Sequence, residues 1–140
     1  MYVSETQIRV RYAETDQMGF VYYGNYATYY EVGRTEALRQ LGTTYQKLEE
    51  SGVMMPVVDL KVQYIKPARY DDLLTIKTIV TDIPKSKMQF LYEVYNEEGV
   101  LLNKGETLLV FISAERMRGT RCPQWMQDYI QEAFDEYAKR

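Results

Sequence analysis

Apolar and polar residues alternate over Thr6–Tyr12, with Ile8, Val10 and Tyr12 on one side and Arg9 and Arg11 on the other. That is the period of a half-buried β-strand. After a loop the period changes. From a start between Tyr23 and Asn25, Tyr26, Tyr30, Gly33, Ala37 and Leu41 recur at three- and four-residue spacing, the stripe of one helix of about five turns. Glu31, Arg34, Glu36, Arg39 and Gln40 fall off the stripe and are expected in water, Glu31 and Arg34 as a surface pair. Gly33 and Ala37, one turn apart, leave the helix axis free to lie close to its neighbour. A glycine inside a helix costs about 1 kcal/mol against alanine, a loss that close approach offsets. Gly42 sits where a helix-ending glycine belongs.

The remaining chain reads as strands with a helix at the end. Thr43–Ser51 fits a short helix capped by Thr43 or Thr44, and Gly52 closes it. Beyond Pro56, Val58, Leu60, Val62 and Tyr64 alternate with Asp59, Lys61 and Gln63 until the Pro67–Asp72 turn. Leu73–Ile83 and Met88–Tyr95 are further strands, and Asn96–Gly99 makes the tight connection to the next. Val100–Ser113 is expected to be one long strand kinked at Gly105. A basic segment, Arg116–Pro123, leads to an amphipathic helix carrying Trp125, Met126, Tyr129, Ile130, Ala133, Phe134 and Tyr137. No repeat or linker divides residues 1–140, which form one domain. One strand, a long helix, then strands in succession predict an α+β fold with an antiparallel sheet curved around the long helix. Open sheet edges call for a cover, and 14 tyrosines suit an interface. A homodimer with paired edges is expected.

Composition narrows the chemistry. Hydrophobic residues at 46% and charged ones at 26% suit a globular domain. A net charge of −3 with scattered Lys and Arg argues against a nucleic-acid binder. Cys122 is the single cysteine, so an intrachain disulfide is excluded and a reducing compartment is compatible. The amino-terminal stretch has no long apolar run, which predicts no membrane insertion and a cytoplasmic address. There is no histidine at all. Ser-His-Asp and Cys-His nucleophile systems therefore cannot be built from this chain, nor can histidine-bearing zinc sites. Phosphate-cradling glycine loops are also absent. A carboxylate and backbone dipoles remain as tools, with no metal or redox cofactor expected.

Arg9-Val10, Thr15-Asp16, Gly19, Val21-Tyr22 and Asn25-Tyr26, followed by Glu31, Arg34-Thr35-Glu36 and Pro67-Ala68-Arg69-Tyr70-Asp71-Asp72, resemble the signature of the 4-hydroxybenzoyl-CoA thioesterase family. The likeness is closer to its acyl-CoA thioesterase branch associated with the Tol-Pal cell-envelope system, and it spans nearly the whole chain. It implies the hotdog fold, a curved antiparallel sheet around one long helix, in dimers or tetramers with active sites between subunits. It implies that Asp16 is the catalytic carboxylate, as nucleophile or general base, and that the amide near Tyr23 faces the thioester oxygen. Tyr23 stands where the Tol-Pal-associated branch typically has His. Tyrosine occurs there in the hydroxybenzoyl-CoA enzymes.

The expected function is hydrolysis of an acyl-CoA with a short aliphatic or aromatic acyl group. The alternatives are an acyl carrier protein substrate and a non-catalytic acyl-CoA-binding protein. Gly19, Val21, Tyr22 and Asn25 are assigned to substrate binding, Gly19 through its backbone. Tyr22, Tyr23 and Tyr29 are candidates to line an acyl pocket. Lys85 and Lys87 are candidates for the coenzyme A phosphates, with Arg116, Arg118 and Arg121 as others.

Overall fold

The computed structural model describes residues 1–140. Strand β1 (Tyr2–Arg9) opens the chain, and two single 3-10 turns, Tyr12–Glu14 and Tyr23–Asn25, lead into helix α1 (Tyr26–Gln40). Helix α2 (Tyr45–Glu50) and strands β2 (Val53–Met54), β3 (Val57–Tyr64), β4 (Leu73–Val80), β5 (Lys87–Tyr95), β6 (Leu101–Val110), β7 (Ile112–Ser113) and β8 (Arg118–Gly119) follow, then helix α3 (Gln124–Ala138). The main sheet has the order β1-β4-β5-β6-β3, antiparallel throughout, and β2-β7-β8 form a small second sheet. The expected α+β architecture is present, a five-stranded sheet curved around α1.

Alternation explains the central strands. Leu74, Ile76, Thr78 and Val80 of β4 are buried while their neighbours are half-covered, and β5 buries Met88, Phe90, Tyr92 and Val94. Helix α1 lies across this inner face. A Cβ on Gly33 would come within 2.6 Å of Thr78 Oγ1 and 2.9 Å of Ile76 Cγ2, so glycine is what allows the approach. One turn away, the Tyr30 ring stacks flat on Tyr92, with centroids 4.3 Å apart and planes 4° apart. The hydroxyl of Thr44, rather than Thr43, caps α2 by accepting from the Lys47 N–H at 3.1 Å.

Several expectations need correction. Gly105 is no kink, because the register runs unbroken through Val62↔Gly105 and Tyr92↔Gly105. Its missing side chain makes room for Tyr30, whose ring a Cβ there would penetrate. The long strand instead turns at Phe111, fully buried between the two sheets. Tyr12 is not in β1. It is 79% exposed in the following 3-10 turn.

Arg34 is not a surface partner of Glu31. It is buried on α1 and surrounded by Tyr45 and Tyr92, with no acceptor for its Nε. The buried stripe of α1 is wider than expected, adding Tyr29, Arg34 and Leu38. Two segments cover these flanks: by α2, Leu48 is buried and the Thr43 N–H donates to the Leu38 carbonyl at 3.1 Å, while Tyr29 meets Glu14 of the first 3-10 turn.

Candidate active site

Asp16 stands at the head of a tight reversal between Thr15 and Val21, which pair across it. The Asp16 N–H donates to the Phe20 carbonyl at 2.8 Å, and the Gly19 N–H donates to the Asp16 carbonyl at 3.0 Å. Gly19 has φ +80°, the left-handed conformation that glycine adopts without a steric cost. The half-buried Asp16 carboxylate is held by its own loop. Its Oδ1 accepts from the N–H groups of Met18 at 2.9 Å and Phe20 at 3.2 Å, an Asx-type arrangement. Oδ2 accepts from no protein donor. The loop is strapped to the Pro67–Asp72 turn by the Val21 N–H donating to the Ala68 carbonyl at 2.8 Å. The Arg69 guanidinium, 4.8 Å from the Phe20 ring centroid, adds a second strap.

Facing this loop is the entry to α1. The Asn25 N–H bonds back to the Tyr22 carbonyl at 2.9 Å, and the Tyr22 N–H bonds to the Glu14 carbonyl at 2.9 Å. The amides of Tyr23 and Gly24 between them donate to no backbone or side-chain acceptor. They belong to the unpaired N–H groups of a helix start, where the dipole favours negative charge. A cleft of about 310 Å³ joins the two features, lined by Asp16, Val21, Tyr23, Tyr26, Tyr64 and Lys66 among others. Its aromatic wall is braced by the Tyr64 hydroxyl donating to the Tyr23 carbonyl at 3.1 Å, and by the edge-on contact of Tyr26 with Tyr64.

Asp16, Val21 and Tyr23 thus meet at one cleft, with Gly19 shaping the loop that brings Asp16 there. Tyr22 is adjacent but does not line the cleft; its ring lies against Gly24 and 4.5 Å from that of Tyr23. Asn25 is at the helix start, yet its side chain neither caps α1 nor faces the cleft. Its Nδ2 donates to the Glu14 carbonyl at 2.8 Å. Tyr29 does not line the cleft. It is 1% exposed, and its hydroxyl donates to Glu14 Oε1 at 3.0 Å.

Lys85 and Lys87 are not brought to Asp16 within the chain. Lys87 pairs with Val110 at one end of β6, whereas Tyr64 of the cleft pairs with Asn103 at the other. That separation is about 23 Å along the strand. Lys87 shares a separate hollow with Arg121. Glu14, Tyr64 and Lys66 carry no motif that marks them as functional in the sequence. The Arg11–Glu14 spacing ahead of Asp16 was the available signal for the first. The other two reach the cleft only through tertiary contact.

Residues 18–103 match the profile of the thioesterase superfamily. The chain belongs to the thioesterase superfamily. Its sheet wrapped on α1 is the hotdog fold of that superfamily, and its activity is that of a thioester hydrolase. YneP of Bacillus subtilis, which bears a provisional acyl-CoA thioesterase name, is 38% identical over 133 residues, 92% of this chain and 96% of the relative. The acyl-CoA thioester hydrolase YbgC of Escherichia coli is 36% identical over 117 residues, 84% of this chain and 87% of the relative. The structure of a DHNA-CoA thioesterase from Staphylococcus aureus superposes with a TM-score of 0.87 at 37% identity, covering 99% of this chain and 93% of the other.

Proposed function

We propose that this thioesterase hydrolyses an acyl-CoA with Asp16 as the reacting carboxylate and the Tyr23–Gly24 amides as the seat of the oxyanion. One observation carries the reading: Asp16, with one carboxylate oxygen tied down and the other unbonded, and Tyr23, whose amide is unpaired at a helix start, line the same cleft. A thioester carbonyl is weakly stabilised by sulfur, so a positioned base or nucleophile and an oxyanion seat are sufficient tools. As a base, Oδ2 takes a proton from water while the hydroxide adds to the carbonyl carbon. As a nucleophile, Oδ2 adds directly and the resulting anhydride is opened by water. In both routes the C–S bond breaks, the thiolate leaves as coenzyme A and is protonated, and the acyl group departs as the acid.

The likeness to YbgC supports placing the chain in the acyl-CoA branch of the 4-hydroxybenzoyl-CoA thioesterase family. The apolar, tyrosine-walled cleft of about 310 Å³ suits a short aliphatic or aromatic acyl group. The exposed β3 edge supports a homodimer. Antiparallel pairing of β3 with its copy about a two-fold axis would set the Lys85 and Lys87 end of one sheet beside Asp16 of the other subunit, where cations meet coenzyme A phosphates. Thiol release from a panel of aliphatic and aromatic acyl-CoAs tests the activity. Asp16→Asn is expected to lower kcat by about 10²–10⁴-fold, and unchanged turnover rejects the assignment. Tyr23→Phe keeps the main-chain donor and is expected to stay within a few-fold of the parent.

A further inference from the structure

Glu14 is a buried carboxylate that the reaction does not consume, and no other residue near the cleft is so heavily bonded. Its Oε1 accepts from the Arg11 N–H at 2.8 Å and from the Tyr29 hydroxyl at 3.0 Å. Its Oε2 accepts from Arg11 Nε at 3.2 Å and Nη2 at 2.9 Å. Its carbonyl accepts from the Tyr22 N–H at 2.9 Å and from Asn25 Nδ2 at 2.8 Å. One residue therefore ties together the exit from β1, the segment carrying the free amides, and the buried first turn of α1. Asp16 lies two residues further on, fixed to the same frame by the Thr15–Val21 pairing.

We infer that Glu14 is a positioning residue for hydrolysis: through Tyr29, Tyr22 and Asn25 it sets the separation between the Asp16 carboxylate and the amides at the head of α1. The inference rests on the proposed roles of Asp16 and those amides. Two separate segments have to present an attacking oxygen and an oxyanion seat to one carbonyl carbon. A misplacement of about 1 Å between such groups costs on the order of 10²-fold in rate. A purely stabilising hub would need the carboxylate links alone. Here the backbone carbonyl also gathers the residues on either side of Tyr23 and Gly24, which makes the link geometric. Glu14→Gln keeps the carbonyl but loses the charge, and it sets an amide NH₂ against the Arg11 donors. Tyr29→Phe removes only the hydroxyl tie to α1 and keeps the ring in the core.

The test combines steady-state kinetics on an acyl-CoA with thermal melts for Glu14→Gln, Tyr29→Phe, Asp16→Asn and the pairwise combinations with Asp16→Asn. The expected result is a fall in kcat of about 10–100-fold for Glu14→Gln and a smaller one for Tyr29→Phe, with KM within about twofold. In the Asp16→Asn background neither change is expected to lower the residual rate further, although each lowers Tm as much as in the parent. A lower Tm with unchanged kcat in both single variants overturns the positioning role while leaving Asp16 in place. Full activity of Asp16→Asn, by contrast, sinks the catalytic reading and this inference with it. Should Glu14→Gln fail to fold, Tyr29→Phe with its double variant decides alone.

Discussion

Strands β4 and β3 each turn alternate residues to the concave side of one sheet, and those faces meet opposite fates. On β4 every second residue is buried, and α1 closes over Leu74, Ile76 and Thr78. On β3, Leu60, Val62 and Tyr64 project from the same concave face, pairing with Thr107, Gly105 and Asn103. Yet Leu60 is 43% and Tyr64 53% exposed, because α1 packs over β1, β4 and β5 and stops short of this edge. Alternation marks a face that can be buried. Whether it is buried depends on what lies opposite. The Asp16 cleft sits where the two halves meet, with Tyr26 of the covered half against Tyr64 of the open one.

That contrast can be broken from either side. The largest effect is expected from Leu60→Lys, which places a charge in the centre of the uncovered strand. If the proposed β3-edge dimer forms, sedimentation should show it for the parent and a monomer for the variant, with acyl-CoA hydrolysis reduced at least tenfold because the proposed site would draw on both subunits. An unaltered oligomeric state would mean that the β3 edge is not the interface. On the covered side, Gly105→Ala forces a methyl group into the Tyr30 ring, which cannot retreat because it is stacked on Tyr92. Overpacking of this kind costs about 3 kcal/mol, read as a Tm lower by roughly 10 °C. A change within 2 °C would show that the tyrosine stack yields.

A third measurement probes the junction by pH. Burial pushes the Glu14 carboxyl up, but the Arg11 amide and guanidinium and the Tyr29 hydroxyl more than offset it, leaving the group below the ordinary glutamate range. A folded-state value below the unfolded one contributes stability that is full above the unfolded value and is lost as pH falls through the folded one. The parent should therefore lose Tm on acidification below about pH 4.3, and Glu14→Gln should lose less over the same interval. Identical acid limbs would remove Glu14 from the account. The smallest expected effect is at Cys122, in the covered half, where burial pushes the thiol up to about 12. A thiol reagent at pH 8 should label it only on unfolding. Rapid labelling of the native protein would show that the segment around Cys122 opens.

Much of the candidate cleft is legible in the sequence. Asp16, Gly19, Val21 and Tyr23 fall within eight residues of chain, so local turn chemistry and a helix start bring them together whatever the rest of the fold does. Tyr64 and Lys66 come from the end of a strand more than forty residues later, and no local pattern marks them. The burial of Tyr29 and Arg34 escapes the local pattern for a related reason. The helical period places a residue on a flank but does not say that α2 and the Asp16 loop cover that flank. At Gly105, glycine in a strand serves either bending or close approach, and only the position of Tyr30 separates the two.

By itself the sequence determined the order of elements, the close-packed helix and the absence of any histidine-based chemistry. Those follow from periodicity and residue type, which are properties of short stretches. The tertiary structure decided which apolar faces are covered, which polar groups are buried together around Glu14, and that Lys85 and Lys87 lie at the far end of the sheet from Asp16. Burial and proximity arise between segments distant in the chain, and no local pattern encodes the neighbour that supplies them.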